Sequence, residues 1–133
     1  SKRVSLILNN KIKNKVVSFL GVTFKANTDD MRDSSSLKLI PFLSKKGAKI
    51  KYYDPTGSKK EFKKLKNVEF SNSIKEALKG SDLVIVHTEW NDFKSINFKN
   101  FSKNNKLIIY DMRNIYSPYK IRKLGFKYFG IGR

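Results

Sequence analysis

Short apolar runs alternate along the whole chain with amphipathic, lysine-rich stretches. Lys15–Leu20 (KVVSFL) is rich in β-branched and aromatic residues and stops at Gly21, which predicts a buried strand. Ser34–Lys46 (SSSLKLIPFLSKK) predicts a helix, with serines to cap it, Gly47 to end it, Leu37, Ile40 and Leu43 as its inward stripe, and a kink at Pro41. Ala48–Tyr53 predicts a second strand ended by Asp54-Pro55. Lys59–Leu65 predicts a short basic helix, and Val68–Phe70 a short strand. Ser73–Lys79 opens on the capping-box pair Ser73 and Glu76 and ends at Gly80. Leu83–His87 (LVIVH) is the most apolar run and predicts a central strand. Leu107–Tyr110 predicts another strand, Tyr119–Lys123 a short helix stopped by Gly125, and Phe126–Phe129 a last strand.

Continuously apolar strands alternating with amphipathic helices predict an α/β fold. Its parallel sheet is buried on both faces by helices, in three layers with right-handed crossovers. Val4–Ile12 (VSLILNNKI) reads as the tail of an amphipathic helix that starts without a cap box or an initiating methionine. That predicts a domain cut from a longer chain. At 133 residues the chain is long enough to bury a core of its own.

Composition narrows the chemistry. There is no cysteine, which excludes a disulfide framework, a thiolate metal site and a cysteine nucleophile within the chain. His87 is the single histidine, which excludes a multi-histidine metal site. No apolar run approaches the ~18 residues of a membrane span, and no signal peptide opens the sequence. The setting expected is reducing and cytoplasmic.

Lys plus Arg is 29 against 11 Asp plus Glu, a formal charge of +18. Such an excess attracts nucleic acid, anionic lipid or phosphorylated metabolites. However, 24 of the basic residues are scattered lysines and only 5 are arginines, whose fork makes the bidentate contacts of dedicated readers. The bland reading is a lysine-rich solvated surface set by codon composition.

In an open α/β sheet, ligands bind beyond the carboxyl ends of the strands. After the first strand runs a long loop, Gly21–Arg32, carrying the cations Lys25 and Arg32. It has one glycine, so it is neither a G-x-G-x-x-G dinucleotide turn nor a P-loop. Asp29, Asp30 and Asp33 flank Arg32 and read as local partners for it rather than as a metal site. A phospho-receiver would need acidic residues at the first strand end and an acceptor at a central one. Asp54 follows the second strand, which is a poor match. His87 reads as a core or crevice-edge histidine. From the residues alone, three classes stay open: a binding domain for an anionic ligand, a stand-alone basic nucleic-acid-binding domain, and a signalling module.

Gly21–Ser36 (GVTFKANTDDMRDSSS), Tyr53–Pro55 (YDP), Thr88–Trp90 (TEW) with Phe93-Lys94, Asp111–Asn114 (DMRN) and Phe126–Arg133 (FKYFGIGR) occur in this order. Together they resemble the C-terminal domain of the UDP-glucose/GDP-mannose dehydrogenase family, most closely bacterial UDP-glucose 6-dehydrogenases. The resemblance implies a Rossmann-like domain over 15–133, with 1–14 as the end of a linking helix from an upstream region. It also implies two-step, NAD-dependent oxidation of a nucleotide sugar at C6 by a cytoplasmic homodimer. The catalytic cysteine and the NAD domain would lie upstream, so the isolated chain would be inactive. By motif position, Phe24, Lys25 and Arg113 match residues that hold the UDP-sugar, and Arg32 matches an arginine that contacts NAD. Trp90 is expected mainly to pack. GDP-mannose and UDP-N-acetylmannosamine are the alternative substrates, and no specific nucleic acid or membrane partner is implied.

Overall fold

The computed structural model describes residues 1–102 and 106–132. Six strands form one sheet: β1 (Val16–Leu20), β2 (Lys49–Tyr53), β3 (Val68–Phe70), β4 (Leu83–Val86), β5 (Ile108–Asp111) and β6 (Lys127–Gly130). Their order is β3-β2-β1-β4-β5-β6, and every pairing is parallel. This is the doubly wound order of Rossmann-like folds.

Two cores form because successive side chains of a strand point to opposite faces. Val17 and Phe19 of β1 enter one core, and Leu20 enters the other. Likewise Leu83 and Ile85 of β4 face the first core, and Val84 and Val86 the second. Helices α1 (Lys2–Ile7) and α2 (Ser36–Lys45) close the first core with Val4, Ile7, Leu39, Ile40 and Leu43. Helices α3 (Ile74–Leu78) and α4 (Pro118–Lys123) close the second with Leu78 and Ile121. All four side chains of β4 are fully buried, as a central strand with both faces covered requires. Each such aliphatic contributes roughly 1.5–3 kcal/mol through burial.

Local signals explain the element ends. At α3, the Ser73 hydroxyl accepts from the Glu76 amide at 3.1 Å, and the Glu76 carboxylate reaches back to the Asn72 amide at 2.8 Å. Pro118 opens α4 behind Ser117, whose hydroxyl accepts from the Lys120 amide. α2 runs unbroken through Pro41.

Three sequence expectations change. The first helix stops at Ile7 rather than running on to Ile12, because Asn9 and Asn10 take the left-handed conformation (φ 54° and 60°) that asparagine tolerates. The stretch Lys59–Leu65 yields only a 3-10 turn at Lys60–Phe62. Phe62 anchors it, while neighbouring like charges disfavour a longer helix. The N-cap of α2, Ser35, makes no side-chain cap, and Ser34 accepts from the Ser36 amide at only 3.3 Å. Ser34 and Ser36 instead donate to the Val22 carbonyl, each at 2.6 Å, and tie α2 to the loop after β1.

Each of the four arginines among the described residues is held by oxygens of the chain itself. Arg3 donates to the Gly130 carbonyl and Arg122 to the Tyr128 carbonyl, so both lie against strand β6. Arg32 pairs with Asp30, and Arg113 spans two carbonyls. Among the described residues, no helix is long and apolar enough to cross a membrane.

Candidate functional site

From neighbouring β1 and β4 the strand order proceeds in opposite directions, and the crevice beyond their carboxyl ends is where open α/β sheets take ligands. Three loops meet there, following β1, β4 and β5. Gly21 opens the first with φ +77°, and its amide donates to the Tyr53 carbonyl. Thr88, in the second, donates its hydroxyl to the Thr23 carbonyl at 3.0 Å.

Arg113, from the third loop, joins all three. Its Nε donates to the His87 carbonyl at 3.1 Å and its Nη2 to the Phe24 carbonyl at 2.6 Å. One edge of the guanidinium is thus spent on fixing the backbone, which leaves the Nη1 side of the fork for an anion. Beside it, the Phe24 ring is 48% exposed, unusual for a phenylalanine, and Lys25 is exposed next to it. The loop carrying both is closed by the Phe24 amide on the Asp30 carbonyl and by the Thr23 hydroxyl on the Lys25 carbonyl. An exposed aromatic ring and the free edge of a guanidinium, on a loop that also carries an exposed lysine, suit a planar base or sugar joined to phosphates.

Two buried carboxylates, Asp54 and Asp111, set these loops, a role that residue spacing alone did not reveal. Asp54, ending β2, accepts from the Val22 amide at 2.9 Å and from the Thr56 amide and hydroxyl at 2.9 and 2.6 Å. Asp111, ending β5, accepts from the Arg113 and Tyr116 amides at 3.1 and 3.0 Å and from the Tyr128 hydroxyl at 2.8 Å. The available signal was an aspartate directly after a strand-ending tyrosine, in Tyr53-Asp54 and Tyr110-Asp111. Asp54 is fully enclosed and its oxygens are spent. It therefore cannot serve as a phospho-acceptor, nor read a ribose as the acidic residue of a dinucleotide-binding sheet does.

His87 is buried at the crevice edge, with Nε2 on the Ser35 hydroxyl at 2.9 Å and Nδ1 on the Thr88 hydroxyl at 3.1 Å. Burial, reinforced by the Arg113 charge, lowers its pKa to about 4, so the ring is neutral and structural at neutral pH. Trp90 is buried as expected of a packing residue, and its indole N–H has no hydrogen-bond partner among the described residues.

Arg32 stands apart from the Phe24–Arg113 corner. Its guanidinium grips Asp30 through Nε and Nη2 at 2.9–3.2 Å. Those hydrogen bonds hold the Asp30 carboxyl at about 2. Arg32 lines a separate groove of about 470 Å³ with Thr56, Ser58 and Lys59. Asp29 and Asp33 are exposed, and no cluster of three acidic, histidine or cysteine side chains suited to a metal occurs among the described residues. A cavity of about 530 Å³ on the face of β2 and β3 is lined by Lys49, Lys51, Glu69 and Lys79, away from the crevice loops. There the Lys51 ammonium already caps the Glu76 and Lys79 carbonyls at the end of α3.

Residues 18–118 match the model of the UDP-glucose/GDP-mannose dehydrogenase family, UDP binding domain. The chain belongs to this family. Its crevice loops, from the end of β1 through Arg113, all fall inside the matched span. The UDP-glucose 6-dehydrogenase of Rickettsia felis is 34% identical over 133 residues, covering 98% of this chain. That of Rhizobium meliloti is 34% identical over 99% of it. The chain spans about 30% of the length of these curated relatives. Among solved structures, an NDP-N-acetyl-D-galactosaminuronic acid dehydrogenase from Methanosarcina mazei superposes with a TM-score of 0.81 at 26% identity. It covers 99% of this chain and 27% of that one.

Proposed function

We propose that the chain is the C-terminal, nucleotide-sugar-binding domain of an NAD-dependent UDP-glucose 6-dehydrogenase that converts UDP-glucose to UDP-glucuronate. Phe24, Lys25 and Arg113 hold the UDP-sugar. The observation that carries this is the Arg113 guanidinium, fixed on the Phe24 and His87 carbonyls with one edge of its fork left over, at the loop that also carries exposed Lys25. A diphosphate suits that combination of a bidentate donor and a point charge. UDP-glucose, rather than GDP-mannose or UDP-N-acetylmannosamine, is supported by the similarity to the UDP-glucose 6-dehydrogenases of Rickettsia felis and Rhizobium meliloti.

NAD, when bound, accepts hydride in both oxidation steps. The enclosed Asp54 and the single-glycine first loop argue against a dinucleotide site within this domain, so its contribution to NAD is Arg32, presented across the domain boundary. With no cysteine, the chain supplies no thiolate nucleophile. Residues 1–14 would link this domain to an upstream NAD-binding and dimer-forming region, and the enzyme would act as a homodimer in the cytoplasm.

The test is titration of UDP-glucose and of NAD against the full-length protein and its Lys25→Ala, Arg113→Ala and Arg32→Ala variants. Each charge-assisted hydrogen bond is worth about 1.5–3 kcal/mol, so the first two variants should lose about tenfold or more in UDP-glucose affinity. Arg32→Ala should act on NAD instead. UDP-glucose affinity within about twofold for both Lys25→Ala and Arg113→Ala, only ~0.4 kcal/mol, would reject the site.

A further inference from the structure

The terminal motif around Tyr128 lies at the far edge of the sheet, two strands from the β1–β4 crevice, and no ligand role accounts for it. Its geometry leads back to that crevice. Tyr128 is buried in β6, and its hydroxyl donates to Asp111 Oδ2 at 2.8 Å. The other oxygen of that carboxylate accepts the Arg113 amide at 3.1 Å, and Arg113 then bridges the His87 and Phe24 carbonyls. The same Oδ2 accepts the Tyr116 amide, and the Tyr116 hydroxyl donates to the Phe93 carbonyl in the loop after β4. One residue beyond Arg113, Asn114 is held at φ 54° by two bonds to the Ile131 backbone: its Nδ2 donates to the carbonyl and its Oδ1 accepts from the amide, both at 2.9 Å. The turn that aims Arg113 is therefore fastened on both sides to β6 and the residues just after it. Arg122 fixes β6 in turn, donating to the Tyr128 carbonyl and lying over its ring.

We infer that Tyr128 is a positioning residue for the anion-binding arginine: through Asp111 it holds the Arg113 turn in the pose that presents the unspent side of the guanidinium to the ligand. Without the Tyr128 hydroxyl, Asp111 Oδ2 keeps only the Tyr116 amide, and the carboxylate loses the bond that ties it to β6 and resists its rotation. Rotation would release the Arg113 amide and, with it, the two carbonyl contacts of the side chain. The inference rests on the reading of Arg113 as a UDP-sugar contact.

The experiment uses the full-length dehydrogenase with Tyr128→Phe, Arg113→Ala and the double variant. UDP-glucose and NAD are titrated separately, at a temperature where near-ultraviolet circular dichroism shows each protein folded. Tyr128→Phe should weaken UDP-glucose binding about fivefold or more while leaving NAD within about twofold, and should add nothing in the Arg113→Ala background. A purely structural role would lower the melting temperature while leaving UDP-glucose affinity unchanged, or weaken it equally in both backgrounds. Either result overturns the inference. If Tyr128→Phe acts as expected on neither ligand while Arg113→Ala still weakens UDP-glucose, only the positioning role falls. If Arg113→Ala itself has no effect, the reading of the site falls and the inference with it. Should Tyr128→Phe fail to fold, Asn114→Gly takes its place, since it keeps the positive φ and deletes both bonds to Ile131. Unchanged UDP-glucose affinity in that variant overturns the inference equally.

Discussion

Gly21 and Thr88 are packed so closely that a Cβ on Gly21 would lie 2.5 Å from the Thr88 Cβ and 2.7 Å from its Oγ1. The ends of β1 and β4 thus meet where one residue has no side chain, and Thr88 is held there by its bond to the Thr23 carbonyl. Gly21→Ala combines this overlap with a left-handed backbone at φ +77°. The conformational cost is roughly 1–2 kcal/mol, and overpacking adds about 1–3 kcal/mol. Gly57, at φ +94° with nothing within 4 Å of its would-be Cβ, is the control. Gly57→Ala should cost only the conformational part. Urea unfolding of the two variants checks this, and equal losses would show that the Gly21–Thr88 contact carries no energy.

His87 links stability to pH. Its folded pKa, about 4, lies below the ordinary 6.5, because burial and the Arg113 charge penalise the imidazolium more than Asp54 favours it. Between those values the unfolded chain binds a proton that the folded chain does not. The contribution is therefore complete above about pH 6.5 and is lost as pH falls towards 4, at up to about 1.4 kcal/mol per pH unit. His87→Gln should flatten that decline, read as urea midpoints at several pH values. The His87 ring resonances in proton NMR should stay unshifted down to about pH 5.

Arg113→Lys tests the two-carbonyl bridge separately from charge. A lysine ammonium can reach the Phe24 or the His87 carbonyl, but it lacks the planar fork that holds both. The loop after β1 should loosen although the charge is kept. The expected sign is about tenfold faster hydrogen exchange at the Phe24 amide, which is closed on the Asp30 carbonyl, for a loss of ~1.4 kcal/mol. Unchanged exchange would mean the bridge does not order the loop.

What the sequence made legible follows from the reach of each signal. Strands β1, β4 and β5 could be read because burial on both faces leaves continuous apolar runs such as LVIV. The crevice loops could be read because they must follow those strands. Charge patterning placed the partner of Arg32 among Asp29, Asp30 and Asp33 because all lie within three residues of it, and the fold selects Asp30. The network behind Arg113 was not legible, since Tyr128 reaches Asp111 only when β6 pairs with β5, and Arg113 reaches the Phe24 carbonyl only when the loops after β1 and β5 come together. The serines before α2 look like caps in sequence. The N-cap Ser35 instead turns its hydroxyl to His87, and Ser34 and Ser36 donate to the Val22 carbonyl, partners far from them along the chain that only the fold brings near.

Asp54 gives the last prediction. Its carboxylate is buried and accepts three hydrogen bonds, from the Val22 amide and from the amide and hydroxyl of Thr56. The Thr56 hydroxyl in turn accepts from the ammonium of buried Lys59. Asp54→Ala would leave a buried Val22 amide without a partner and take away the acceptor of the Thr56 hydroxyl that Lys59 bonds. Each unsatisfied buried donor costs about 1–3 kcal/mol, so the loss should be on the order of 3 kcal/mol. Asp54→Asn keeps the shape and one acceptor oxygen but turns an N–H₂ toward a donor, so it should fall between wild type and alanine. Because Val22 begins the loop that carries Phe24 and Lys25, the full-length protein should also lose UDP-glucose affinity while still folded. Urea unfolding paired with UDP-glucose titration decides the matter. A variant that keeps wild-type stability would show that water replaces the carboxylate, and that Asp54 does not set the loop.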